Sequence, residues 1–198
     1  NAPPNYAAWL ERIGEAKTPD ERRSVCRVLM HTHASTRERL PILDEFYRVA
    51  LADLPPIRSV LDVACGLNPL AIPFMPLADG ATYYACDIYT DLADFLNGAF
   101  PLLGVQGTAW AADVTQTTPE QAVDLAIIVK AIPCLQQLDK TIGARLLDGV
   151  NAAHLLVSYP AQSLGGASKG MRANYEAQFA ELVAGKGWQV RKYDFANE

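Results

Sequence analysis

The chain predicts an α/β fold, a mostly parallel Rossmann-like sheet preceded by a small helical appendage. Three observations carry this expectation. Short apolar runs at 57–64, 82–88, 107–113, 123–130 and 154–159 alternate with helical stretches such as 90–98 and 139–149, the pattern of right-handed β-α-β crossovers. The first run ends in a small-residue turn, Ala64-Cys-Gly66, and the second ends on an acidic residue, Asp87. Before residue 56 the apolar spacing is helical throughout.

Each element has its own signal. Tyr6, Trp9, Leu10 and Ile13 share one helical face, with both Trp9 and Trp188 expected in the core. Gly14 then reads as a stop and Thr18-Pro-Asp-Glu21 as a restart. Thr18 is the N-cap, Pro19 suits the first helical position, and Glu21 closes a capping box. A second box, Ser35-Thr-Arg-Glu38, predicts a helix with Leu40, Leu43, Phe46 and Leu54 on one face, bent by Pro41 and ended by Pro55-Pro56. A last alternating run at 188–195 reads as an edge or antiparallel strand. A sheet of this type normally closes with one more antiparallel strand, so residues 56–198 are expected to lack the last strand. The domain organisation is then 1–55 as helical appendage and 56–198 as Rossmann-like domain.

Composition bounds the function. The 198 residues are half hydrophobic and 20% charged, enough for one core. No apolar stretch approaches the roughly 20 residues that span a bilayer, and Asn1-Ala-Pro-Pro lacks the features of a signal peptide. A cytoplasmic protein is expected. Cys26, Cys65, Cys86 and Cys134 show no metal-ligand spacing, so no metal is expected, and the last three read as apolar filler in or beside strands. The net charge of −5 is unevenly spread. Residues 59–129 hold eight Asp/Glu and no Lys/Arg, whereas the basic residues, Arg22, Arg23, Arg27, Lys169 and Arg172 among them, lie toward the two ends. This segregation permits an RNA-binding face, although a solvated basic helix would look the same.

The turn Leu61-Asp-Val-Ala-Cys-Gly-Leu-Asn68 points to a nucleotide-like ligand. In such sheets the glycine turn lets the backbone approach the ligand, and a carboxylate after the second strand takes the ribose hydroxyls. Gly66 is followed by Leu67, Asn68 and Pro69, which leaves no glycine-lined cradle for a pyrophosphate. S-adenosyl-L-methionine, which carries no phosphate, fits better than a dinucleotide.

Five segments in order carry a resemblance. They are His33-Ala-Ser-Thr-Arg-Glu-Arg-Leu40, Leu61-Asp-Val-Ala-Cys-Gly-Leu-Asn-Pro-Leu70, Cys86-Asp-Ile88, Lys130-Ala-Ile-Pro133, and Ser158-Tyr-Pro-Ala-Gln-Ser-Leu-Gly-Gly-Ala-Ser-Lys-Gly-Met171. Together they resemble the aminoglycoside-resistance 16S ribosomal RNA (guanine-N7) methyltransferases of the Arm/Rmt type. The resemblance implies a class I S-adenosylmethionine-dependent methyltransferase fold and methylation of N7 of guanine 1405 in the decoding site of the 30S subunit. The product would be S-adenosyl-L-homocysteine, the state monomeric. Only 32 residues precede His33, so the family's helical docking region is expected to be shortened here.

The resemblance also implies roles. His33, Ala34, Ser35, Thr36, Arg37 and Arg39 would surround the methionine end of the cofactor, Arg39 pairing its carboxylate in a bidentate fork. Ala64 and Gly66 would approach the cofactor through their backbone. Asp87 and Ile88 would meet the ribose and its surroundings, Asp113 and Val114 the adenine, and Gln137 the pocket wall. Lys130 and Pro133 would position the target, and Lys169, Met171 and Arg172 would contact RNA. Several of these residues have plainer readings, since Ser35 and Glu38 can cap a helix and a strand-end Asp113 can form a turn. Guanine N7 has a free lone pair and no proton, so no general base is expected. Two other readings stay open on sequence, a methyltransferase of a small metabolite and an S-adenosylmethionine-binding homologue that leaves ribosomes unmodified.

Overall fold

The computed structural model describes residues 4–161 and 170–198. Five strands, β1 (Ile57–Val63), β2 (Leu77–Asp87), β3 (Gln106–Ala111), β4 (Val123–Val129) and β5 (Ala152–Ser158), form one sheet in the order β3-β2-β1-β4-β5. Every pairing is parallel. The chain steps outward from β1 to β3, then returns to place β4 on the other side of β1. The switch point of this topology therefore lies at the carboxyl ends of β1 and β4, where such sheets form their ligand crevice.

Alternation along the strands divides the core. Val60, Leu125 and Ile127 face one apolar cluster, while Leu61, Ala126 and Ile128 face the other. The first cluster is covered by α1 (Tyr6–Glu15), α2 (Pro19–Met30), α4 (Leu43–Ala50) and α5 (Thr90–Leu103) through Ile13, Leu29, Phe46 and Phe95. The N-terminal helices thus share a core with the sheet. The second cluster is covered by α7 (Ile142–Gly149) through Ile142, Leu146 and Leu147, and in part by α8 (Met171–Val183) through Phe179 and Leu182. Burial pushes the Cys26 and Cys86 thiols up to about 12, so both stay protonated packing groups. Cys134, expected beside them, is instead exposed on α6 (Ile132–Leu135).

The first capping box forms as expected. Thr18 Oγ1 accepts from the Glu21 amide at 3.2 Å and Glu21 Oε2 accepts from the Thr18 amide at 3.0 Å. The second does not. His33 is the cap of α3 (Ala34–Arg39), Ser35 Oγ bonds His33 Nδ1 at 3.0 Å, and Glu38 is drawn away to Lys130 Nζ at 3.0 Å. A charge-assisted bond to a buried ammonium replaces the cap bond expected of that carboxylate. Pro41 does more than bend the helix, because its missing N–H separates α3 from α4 by a 3₁₀ turn, Leu40–Ile42.

The strand expected at 188–195 is absent. The segment pairs with no ladder, and Trp188, expected in the core, is 43% exposed. Alternating sequence supplies two faces but not a partner edge. Here the segment is held by side chains, Arg191 on Asp53 and Lys192 on Glu176, before crossing toward the strand ends, where Asn197 O accepts from the Ala161 amide.

Helix α5 lies close on β3 because Gly107 has no side chain. A methyl group built there would fall 2.2 Å from the Phe100 ring, which is fully buried. Gly107→Ala is expected to lower stability by about 1–3 kcal/mol through overpacking. A urea midpoint unchanged in that variant would contradict the packing described.

Candidate functional site

The strand ends at the switch point carry unusual backbone. Among the described residues, Ala64, after β1, and Lys130, after β4, are the non-glycine residues with positive φ, 51° and 57°. Such residues cost free energy and persist where their surroundings hold them, most often at functional sites. Gly66 follows with φ 50° and provides the sharp turn that only glycine adopts freely. The Lys130 amide donates to Ser158 O at 3.0 Å, and the Cys65 amide to Cys86 O at 3.0 Å, which fixes both turns to neighbouring strands.

Asp87 closes the other side of this turn. Its Oδ2 accepts from the Gly66 amide and its Oδ1 from the Ile88 amide, both at 2.8 Å. Each oxygen retains a lone pair, so the carboxylate is oriented yet still able to accept from two hydroxyls. Ile88 is exposed beside it. The Ala112 amide donates to Asp87 O at 2.8 Å, which brings Asp113 to the same edge one strand over. Asp113 Oδ1 accepts from the Thr115 amide and hydroxyl, and these bonds hold its carboxyl below the usual range. Val114 is buried in the second cluster.

Helix α3 leans on the same turn. The His33 ring stands 3.9 Å from where a Gly66 methyl group would lie. Ser35 meets His33, Ala34 is half-buried and Arg37 is exposed. Thr36 is turned inward, its hydroxyl donating to Met30 O at 2.6 Å, so that hydroxyl serves the end of α2. Arg39 is completely buried and holds a carboxylate in a bidentate fork, as expected of it. That carboxylate is Glu198's. Nε donates to Glu198 Oε2 and Nη2 to Oε1, each at 2.7 Å, while Nη1 donates to Asn68 Oδ1 at 2.6 Å. Lys130 likewise points inward, with 5% of its side chain exposed, to Glu38 Oε2 at 3.0 Å and Glu198 Oε2 at 3.6 Å.

Behind Asn68 runs a buried polar chain. Asn68 Nδ2 and Tyr83 Oη both donate to Asp62 Oδ2 at 2.8 Å, and Tyr47 Oη donates to Asn68 Oδ1 at 2.5 Å. These bonds fix the amide of Asn68 and through it the guanidinium of Arg39. Burial pushes the Asp62 carboxyl up to about 7, against the lowering by its hydrogen bonds from Asn68 and Tyr83.

The remaining expected residues fall around this centre unevenly. Pro133 is in the first turn of α6 immediately after Lys130, and Gln137 is exposed on the turn after that helix. Lys169 lies outside the described residues. Met171 begins α8, and Arg172 is committed to the chain itself, donating to Phe195 O at 2.7 Å and pairing with Asp194. Arg23 and Arg27 stack on the Phe74 ring rather than standing free. Sequence reasoning missed Glu198, Asn68 and Asp62. A buried arginine and lysine require acidic partners, and that requirement was the only available pointer to Glu198.

The described geometry has counterparts. The profile of the ribosomal RNA methyltransferase (FmrO) family matches residues 2–198. The 16S rRNA (guanine(1405)-N(7))-methyltransferase of Micromonospora rosea is 36% identical over 198 residues, covering 98% of this chain and 72% of that protein. The enzyme of the same name from Frankia casuarinae is 38% identical, covering 98% and 70%. Among solved structures, 16S rRNA methyltransferase RmtF in complex with S-adenosyl-L-homocysteine superposes with a TM-score of 0.75 at 31% identity, over 89% of this chain and 65% of that one. The chain therefore spans about seven tenths of these curated relatives and 65% of the solved one.

Asp62 makes this site's stability depend on pH. Its folded pKa is raised, so the folded state keeps a proton that the unfolded chain releases from about pH 4 upward. Stability from this group is complete below that pH and is lost as pH rises through about 7. At about 1.4 kcal/mol per unit, unfolding free energy should fall by about 2–3 kcal/mol between pH 5 and 8. Asp62→Asn should flatten that fall in denaturant titrations, and parallel pH profiles would refute the assignment. With its parallel sheet, glycine turn and strand-end carboxylate in place, the chain belongs to the ribosomal RNA methyltransferase (FmrO) family.

Proposed function

We propose that this chain transfers the methyl group of S-adenosyl-L-methionine to N7 of guanine 1405 in the 16S rRNA of the 30S subunit, as a cytoplasmic monomer, and thereby confers aminoglycoside resistance. The observation that carries the reading is the Asp87 carboxylate, oriented by the Gly66 and Ile88 amides beside the left-handed Ala64 turn. The names of the relatives, 16S rRNA (guanine(1405)-N(7))-methyltransferase, support the target.

The residues fit the group. Asp87 accepts from the ribose hydroxyls, and the small side chains at Ala64 and Gly66 leave the backbone open to the cofactor. Asp113 offers its second oxygen to the adenine amino group, with Val114 beneath the ring. His33, Ser35 and Arg37, on the exposed side of α3, border the methionine end, because Arg39 and Thr36 are occupied within the protein. The bound cofactor supplies an electrophilic methyl group on a sulfonium.

What the protein must do is align the guanine and exclude water. N7 attacks with a lone pair that carries no proton, so a base would have nothing to remove. The segment Lys130–Pro133 lies at the end of β4, across the switch point from the turn that receives the cofactor. Its lysine ammonium is turned onto carboxylates, which keeps an uncompensated positive charge away from a purine that itself becomes cationic.

Removing the ribose acceptor tests the reading. Hydrogen bonds to a charged group contribute about 1.5–3 kcal/mol, so Asp87→Ala should weaken S-adenosyl-L-homocysteine binding by about 10- to 100-fold. Radiolabel transfer from S-adenosyl-L-methionine to 30S subunits should be lost with it. Full labelling by Asp87→Ala, or labelling of small metabolites in place of 30S subunits by the unmodified chain, would overturn it.

A further inference from the structure

Three buried charges, Arg39, Lys130 and Glu198, and one partly exposed carboxylate, Glu38, meet between α3 and the ends of β4 and β5. Glu198 lies 159 residues from Arg39 in sequence, and its carboxylate is fully buried. Each of its oxygens is doubly engaged. Oε1 accepts from Arg39 Nη2 and Ser158 Oγ, and Oε2 accepts from Arg39 Nε with Lys130 Nζ 3.6 Å away. Glu38 supplies the second carboxylate, on Lys130. Two cations thus meet two anions, and three separate elements are joined through one side chain. The neighbouring Asn197 reinforces the join, its Nδ2 donating to Glu38 O at 2.8 Å and its carbonyl accepting from Ala161.

We infer that Glu198 is a positioning residue for methyl transfer. By holding Arg39, Ser158 and Lys130 together, it fixes the segment that presents the target relative to the helix that borders the cofactor. The inference rests on the function proposed above and adds a residue to it. Lys130 is the sensitive member. Its backbone is in the left-handed region, and two bonds restrain it, its amide on Ser158 O and its ammonium on the carboxylates. Ser158 is itself bonded to Glu198 through its hydroxyl, so this carboxylate reaches the residue on each side of the turn, while Glu38 makes the shorter contact with the ammonium. Without the charge on Glu198, two of Arg39's three hydrogen bonds lose their anionic partner and Lys130 keeps one anion where it had two. The segment 130–133 would then leave its alignment, and a displacement of about 1 Å at a reacting centre costs on the order of 100-fold in rate. The ribose end of the cofactor, on Asp87, would be untouched.

The test separates alignment from folding. In the full chain, Glu198→Gln should lower kcat for 30S methylation by about 10- to 100-fold, with KM for S-adenosyl-L-methionine and calorimetric affinity for S-adenosyl-L-homocysteine little changed. Combining Glu198→Gln with Lys130→Met should cost no more than the larger single loss, since one restraint is being removed twice. Two results would overturn the inference. One is tighter S-adenosyl-L-homocysteine binding in Glu198→Gln, which would make Glu198 a competitor for a ligand site on Arg39. The other is an unchanged kcat with lowered thermal stability, which would leave the residue a structural role alone. Should Glu198→Gln not fold, Ser158→Ala removes one bond to the same carboxylate. It should lower kcat more mildly at constant cofactor affinity, and an unaltered kcat there also overturns the role. If the unmodified chain fails to label 30S subunits, the reaction itself is wrong, and this role falls with it.

Discussion

The structure depends on one buried guanidinium. Arg39 is removed from water, and an unpaired charge there would cost about 3–5 kcal/mol. It is tolerated because Nε, Nη1 and Nη2 all have partners and because Phe46 lies 5.1 Å away under its plane. Asn68 in turn is held by Asp62 and Tyr47. The pairing joins the N-terminal helices, the turn after β1 and the last residues of the sequence in one place. Replacing the set with apolar side chains could be as stable. What an apolar set would lack is the directed hydrogen bonding that Arg39 makes to both Asn68 and Glu198.

The same arrangement holds the backbone strain. Ala64 and Lys130 end adjacent parallel strands in a conformation that their side chains disfavour. Hydrogen bonds from neighbouring strands fix both, so the strain is compensated across the sheet and not within either turn. The two turns stand side by side at the switch point, where sheets of this topology receive their ligands. On the β2 side the crevice ends in the oriented carboxylate of Asp87, and on the β4 side in a lysine whose charge is already satisfied.

Features legible in the sequence were those with local causes. β1 and β4 stood out as apolar runs because both faces of the sheet are covered there, and the Thr18 capping box was readable because cap and partner lie three residues apart. Asp87 and Gly66 were readable from their places at strand ends. Long-range competition hid the rest. Ser35 and Glu38 have the spacing of a box, but Glu38 pairs with an ammonium 92 residues away. Residues 188–195 alternate like a strand but find no edge, and Arg39 has the chemistry of a ligand fork yet spends it on Glu198. No spacing in the sequence announces that pairing. Only the need to neutralise two buried cations could have prompted a search for it.

Charge explains why a lysine can stand at the end of β4. In the proposed reaction a positive charge is not created but moved, from the sulfonium to the purine, so the crevice must tolerate one cation throughout. A free ammonium beside that path would oppose it at every stage, and in a low-dielectric crevice the repulsion would be several times its value in water. The two carboxylates on Lys130 cancel that field while keeping the side chain as a strut. Glutamate and lysine therefore act here as a neutral pair that retains hydrogen-bonding direction, which an apolar residue at the same position could not supply. In the proposed reaction the ion cluster and the lone-pair attack of N7 answer the same demand. The proposed chemistry requires alignment and tolerance of a moving charge, and a lysine whose ammonium is already paired is compatible with both.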